Sequence, residues 1–172
     1  MQLYCWLYNM YWNDKQQVLK EVKKYGRSLK YASDVLKNDK IVVLEAVKNK
    51  GMSLKYASDA LQDDKEIVLE AVNQNENALQ YASENLKNDK EFVLEVVKKN
   101  GLAVHYLKYK LENDKEIALE AVKQNGLSLQ YVSHKRRKDK GVVLEAVKQN
   151  SKSLEYADET LRKDKEFILE AI

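Results

Sequence analysis

Between residues 39 and 49 the apolar side chains Val42, Val43, Ala46 and Val47 recur at i, i+1, i+4 and i+5, and Leu44 widens the stripe to roughly half a helix circumference. This predicts a short helix, Asp39 to Asn49, that must be covered on more than one side. From Ser53 onward, Leu54, Ala57, Ser58 and Leu61 follow i, i+3, i+4, i+7 spacing, which predicts a second helix capped by Ser53, with Tyr56 off its stripe. Short connections make the two antiparallel neighbours.

The pattern repeats every 25 residues without insertion. Asp-Lys stands at Asp14, Asp39, Asp64, Asp89, Asp114, Asp139 and Asp164, and Leu19, Leu44, Leu69, Leu94, Leu119, Leu144 and Leu169 keep the same phase. The aspartates read as N-terminal caps, and Asn88 with Glu91 fits a capping box. Gly26, Gly51, Gly101 and Gly126 read as left-handed residues that stop the first helix; Glu76 and Ser151 replace glycine in two copies, which predicts mild strain or a different cap there.

One such hairpin buries too little apolar surface to offset the entropy of ordering it, so copies must stack on one another. The expected fold class is all-α: an α-solenoid of tandem 25-residue two-helix repeats, with a right-handed superhelix as the expected hand. Residues 14–172 hold six full copies and a partial seventh from Asp164. Residues 1–13 read as a degenerate N-terminal half-repeat, with Tyr4, Leu7 and Tyr11 at apolar positions and Trp6 at the tyrosine position; a disordered or membrane-proximal leader is the alternative. The last helix lacks a polar capping unit, which suggests a fragment of a longer array and predicts fraying or end-to-end self-association.

Composition narrows the chemistry. Of 172 residues none is proline, and 30 basic against 27 acidic side chains leave a formal charge of +3, too little to make the whole protein a polyanion binder. Cys5, His105 and His134 show no zinc-ligand spacing. Cys5 has no partnered base and reads as a small buried apolar residue. There is no Gly-rich phosphate loop, paired-cysteine motif or nucleophile elbow, so no catalytic, cofactor or metal residues are expected. A soluble and intracellular protein is favoured.

The D-K-E-I-V-L-E-A-V-K-Q-N-G-L-S-L-Q-Y-A-S core, best kept over 64 to 88, 114 to 133 and 139 to 150, resembles the family called domain of unknown function 4116. The resemblance covers everything from Asp14 onward and implies no activity and no catalytic residues. The fourth copy departs from the pattern at Tyr106, Leu107, Lys108 and Tyr109, the fifth at Val132 and His134 to Lys138.

Two features are candidate binding surfaces. Tyr31, Tyr56, Tyr81, Tyr106, Tyr131 and Tyr156 form a ladder that either stacks against a peptide or bases, or packs between copies with its hydroxyls hydrogen-bonded. The run His134, Lys135, Arg136, Arg137, Lys138, Asp139, Lys140 either meets phosphates or is a solvated turn. Within it Arg136 takes a position that is leucine in five other copies, so either its stem snorkels or this seam is weak. Glu45, Glu95, Glu120 and Glu145 stand three residues before lysines and suit surface ion pairs. The expected function is a non-enzymatic scaffold for a protein or peptide partner; nucleic-acid binding through the basic run and tyrosines, or a structural spacer, are the alternatives.

Overall fold

The structure is a computed structural model that describes residues 11–107, 111 and 113–171. Cys5, Tyr4, Trp6, Leu7, Lys108 and Tyr109 lie outside the described residues. The chain divides into two compact units, residues 1–86 and 87–172, the division falling within the short helix Glu84–Asn88. Every described element is helical.

In the first unit the second copy is representative. Its long helix Lys40–Asn49 starts where the Asp39 carboxylate accepts from the backbone N–H groups of Ile41 and Val42, satisfying donors that a helix start leaves open. Val42, Val43, Ala46 and Val47 are fully buried, and each buried valine is worth about 2 kcal/mol over an exposed one. The same helix recurs at Lys15–Lys24 and Lys65–Gln74. In the second unit it recurs at Lys90–Lys99, Lys115–Gln124, Lys140–Gln149 and Lys165–Ala171. Asp89 itself caps the fourth copy by accepting from Phe92 N–H, while Asn88 ends the preceding short helix; the expected capping box does not form.

The predicted second helix is two elements, so each copy has three. Gly51–Tyr56 is a 3₁₀ helix, Ala57 and Ser58 are extended, and Asp59–Gln62 is a separate short α-helix. The break turns the Ser58 N–H out of its own copy to donate to the Lys37 carbonyl of the preceding copy at 2.9 Å. Ser33 to Trp12 and Ser83 to Gln62 repeat this bond in the first unit, and Asp158 to Arg137 in the second. Ser58 caps the short helix, its Oγ accepting from Leu61 N–H and donating to Asn38 Oδ1. Ser53 caps nothing: it is fully buried, as are Ser128 and Ser153, and their Oγ atoms have no hydrogen-bond partner. Ala78 and Ala103 fill the same place in the third and fourth copies, so the position demands small size rather than polarity.

The glycines are likewise explained by close approach, not by a left-handed backbone. The residue before each is extended, as at Lys50 with φ −150°. A Cβ on Gly26 would fall 2.3 Å from the Ala46 carbonyl oxygen of the next copy, and one on Gly51 would fall 2.2 Å from that of Ala71. Gly101 and Gly126 meet Ala121 and Ala146 in the same way. The side-chain amide at the end of the next long helix accepts from the glycine N–H: Asn49 from Gly26, Gln74 from Gly51, Gln124 from Gly101 and Gln149 from Gly126. Around Glu76 and Ser151 the preceding asparagines, Asn75 and Asn150, hold the same extended backbone as in glycine copies, and their side chains cap the 3₁₀ helix as Asn100 and Asn125 do.

Within each unit the copies therefore stack in sequence order, long helix on long helix and 3₁₀ helix on 3₁₀ helix. Lysines bridge the outer edge to the cap of the next copy: Lys15 to Asp39 and Lys40 to Asp64 in the first unit, and Lys90 to Asp114, Lys115 to Asp139 and Lys140 to Asp164 in the second.

Candidate binding surface

Each tyrosine of the ladder ends a 3₁₀ helix, where the chain leaves the stack for the extended pair before the short helix. That placement leaves the ring neither buried nor free. Tyr31 is 45% exposed, and Tyr56, Tyr81, Tyr106, Tyr131 and Tyr156 are half-buried. The hydroxyls of Tyr56, Tyr81, Tyr131 and Tyr156 make no hydrogen bond among the described residues, so the packing alternative holds for the rings but not for their polar ends.

The residue before each tyrosine varies, and Lys30, Lys55 and His105 touch the row. Lys30 Nζ sits 4.4 Å from the Tyr31 ring centre and Lys55 Nζ 4.8 Å from that of Tyr56, both within cation–π range. In the second unit His105 lies between two rings, 4.9 Å from Tyr106 and 4.4 Å from Tyr131 of the next copy. Trp12 packs 5.2 Å from Tyr31 at the start of the row. This histidine and tryptophan were missed as members of the surface; the 25-residue period marks position 105 as equivalent to Lys30, but periodicity does not show that it reaches the next ring.

The basic run does not join that row. It forms the short helix His134–Arg137, and most of its cations face carboxylates. His134 and Lys138 stand 3.6 and 3.9 Å from Asp158 of the next copy, and Lys140 pairs with Asp164. Thr160, which donates to the Asp158 carboxylate through both its hydroxyl and its backbone N–H, holds that group below the usual range, with Lys138 and His134 adding to the effect. Lys135 and Arg137 keep no carboxylate partner among the described residues.

Arg136 is buried to 9% exposure in the leucine seam, and its guanidinium turns back to Asp139 at 3.2 Å. Its Nε, the Nε of Arg137 and Ser133 Oγ are buried without partners. The expected Glu–Lys pairs form at Glu45–Lys48, Glu120–Lys123 and Glu145–Lys148, whereas Glu95 takes Lys99 one residue further on.

Among the described residues no group of three or more His, Cys, Asp or Glu side chains is placed to hold a metal ion, and no helix is long and apolar enough to cross a membrane.

Stacked three-element copies joined by the same main-chain and lysine–aspartate bonds define a tandem helical-repeat protein. The family model described as a domain of unknown function, DUF4116, matches residues 14–62, 64–111, 89–138 and 139–172, and the chain belongs to that family. Two overlapping matches begin at Asp64 and Asp89, one copy apart, as a model spanning two copies of a 25-residue period requires. No curated protein and no solved structure matches the chain.

Proposed function

We propose that the chain is a non-enzymatic scaffold that binds a protein partner through an extended segment laid along the tyrosine row. The observation that carries this reading is that an aromatic ring identical in every copy is left half-open, while the valines that hold the copies together are closed. Half-buried rings fixed by packing lose little freedom on binding, and each still offers an apolar edge, with an unbonded hydroxyl at Tyr56, Tyr81, Tyr131 and Tyr156. Next to this constant platform the neighbouring residue changes from copy to copy through Lys30, Lys55, Gln80, His105, Gln130 and Glu155, which suits discrimination between partners. A protein partner is favoured over nucleic acid because the basic run is largely engaged by Asp158, Asp164 and Asp139.

The test is selection of a displayed random-peptide library on the intact chain, with Tyr56→Ala/Tyr81→Ala and Tyr131→Ala/Tyr156→Ala variants as counter-selections and circular dichroism confirming their helix content. Peptides that bind the parent and lose about tenfold or more on a variant support the reading. Enrichment indifferent to all four tyrosines overturns it, as does tighter binding of single-stranded oligonucleotides with a steep salt dependence.

A further inference from the structure

A separate feature occurs in the first copy alone. At the end of its long helix five of the six copies have an asparagine or lysine, Lys50, Asn75, Asn100, Asn125 or Asn150, but the first has Tyr25, 59% exposed. Tyr25 lines an open cleft of about 350 Å³ together with Gly26, Arg27, Asn49 and Lys50. Lys24 Nζ lies 5.2 Å from the Tyr25 ring centre. Arg27 and Lys50 thus bring two cations to the cleft and Lys24 a third beside its Tyr25 wall, and none of the three has a carboxylate partner among the described residues. Among the described residues no acidic side chain lines it, and Glu45 on the neighbouring long helix is engaged by Lys23 and Lys48.

Gathering unneutralised like charges costs free energy unless an anion supplies the missing counter-charge. The guanidinium fork of Arg27 and the two ammonium groups match the oxygens of a phosphate ester. The exposed ring supplies a flat apolar wall for a planar group, and the volume suits a molecule of mononucleotide size. The Asn49 amide, bonded on one side to Gly26 N–H and on the other to the Lys23 carbonyl, fixes the floor so that recognition falls to Tyr25, Arg27 and Lys50.

We infer that the cleft of Tyr25, Arg27 and Lys50 in the first unit binds a small phosphate ester carrying a planar ring, of the nucleoside phosphate class. The other copies lack this combination: Met52, Asn77, Leu102 and Leu127 stand in the place of Arg27, and Lys152, the one other cation there, follows Asn150 rather than an aromatic. They also provide variants that the fold already accommodates, namely Tyr25→Asn, Arg27→Leu and Lys50→Asn.

The experiment is titration of the isotope-labelled intact chain with ADP, observed through backbone amide resonances, with adenosine, inorganic phosphate and a phosphoserine peptide as parallel arms. Saturable shifts confined to the amides around Tyr25 to Arg27 and Asn49 to Lys50, stronger for ADP than for adenosine or phosphate alone and weakened about tenfold by Tyr25→Asn and by Arg27→Leu/Lys50→Asn, are the expected result. The inference is overturned by any of three outcomes: no shift at millimolar ADP, phosphate matching ADP with Tyr25→Asn indifferent, or the phosphopeptide binding tighter than the nucleotide. Because the cleft shares no residue with the tyrosine ladder, ladder variants that lose peptide but keep ADP separate this inference from the proposed scaffold role.

Discussion

The short helices Asp59–Gln62 and His134–Arg137 occupy the same place in the second and fifth copies, one in each unit, and differ in almost every side chain. Their backbones agree: Ser58 and Ser133 precede them at φ/ψ of −62/158° and −58/156°, and Gln62 and Arg137 each offer a carbonyl to the following copy at 2.9 Å. Their interiors do not. Leu61 fills its seam with hydrocarbon at 8% exposure, whereas Arg136 places a cation there at 9%. Gln62 uses its amide to satisfy the Leu54 and Ala57 carbonyls, as Arg162 satisfies Ala157, but Arg137 Nε finds no acceptor. The repeat is therefore held in register by main-chain bonds, glycine contacts and capping aspartates, and this frame tolerates a poorly satisfied seam.

If the frame is common to both units, substitutions in it cost the same in each, and this gives the largest expected effect. Gly51→Ala and Gly126→Ala each force a Cβ onto a backbone carbonyl and lower unfolding free energy by about 3 kcal/mol, read from urea midpoints. Unequal losses would break the comparison. Next, Arg136→Leu restores the residue of the other copies and removes a buried unpaired donor, raising stability by about 1.5 kcal/mol. A loss instead would show that the Asp139 pair outweighs the orphaned Nε. Smaller still, Ser58→Ala costs about 1 kcal/mol because a cap and the Asn38 bond vanish, while Ser133→Ala, whose Oγ bonds nothing, costs almost none.

The smallest effect is electrostatic. Burial pushes the carboxyls of Asp39, Asp64, Asp114 and Asp139 up, but hydrogen bonds from the bridging lysines and the helix N–H groups outweigh it and leave each below the usual 3.8. At Asp164 the Phe167 N–H and Lys140 act in the same direction. A carboxyl depressed in the folded state contributes stability that is full above its ordinary pKa and is lost as pH falls through the depressed value. Hydrogen bonds to the aspartates raise Lys40, Lys90 and Lys140 above 10.5, so their contribution is full below that pH and fades as pH rises through the raised value. Urea midpoints should be level between these limits and fall at both ends. The two regions diverge here as well: Asp139 also feels Arg136, so Lys115→Gln leaves it partly depressed whereas Lys40→Gln releases Asp64 further, as carboxyl resonances followed against pH would show.

The period, the long helix, its buried valines and its aspartate caps were legible in the residues, because amphipathic spacing and N-capping are local properties repeated seven times. The family resemblance was legible for the same reason, since it rests on that repeated core. The tyrosine ladder could be listed but not placed, because i, i+3, i+4 spacing cannot tell one helix from a 3₁₀ turn followed by a new start; the Ser-Asp and Ser-Glu pairs after Tyr31, Tyr56 and Tyr81 were the signal that the second helix breaks.

Gly26 and Ser53 show where local reading ends. Alone, a glycine after a helix reads as a left-handed stop and a serine before an apolar run reads as a cap. In the folded chain the two face each other across adjacent copies, a Cβ on Gly26 lying 3.0 Å from Ser53 Oγ, and both are small because there is no room for more. The elements and their order follow from the residues in sequence. Which small residues are contacts, which cations find carboxylates, and that Tyr25 shares a cleft with Lys50 were decided by stacking, since those distances exist only once neighbouring copies close on each other.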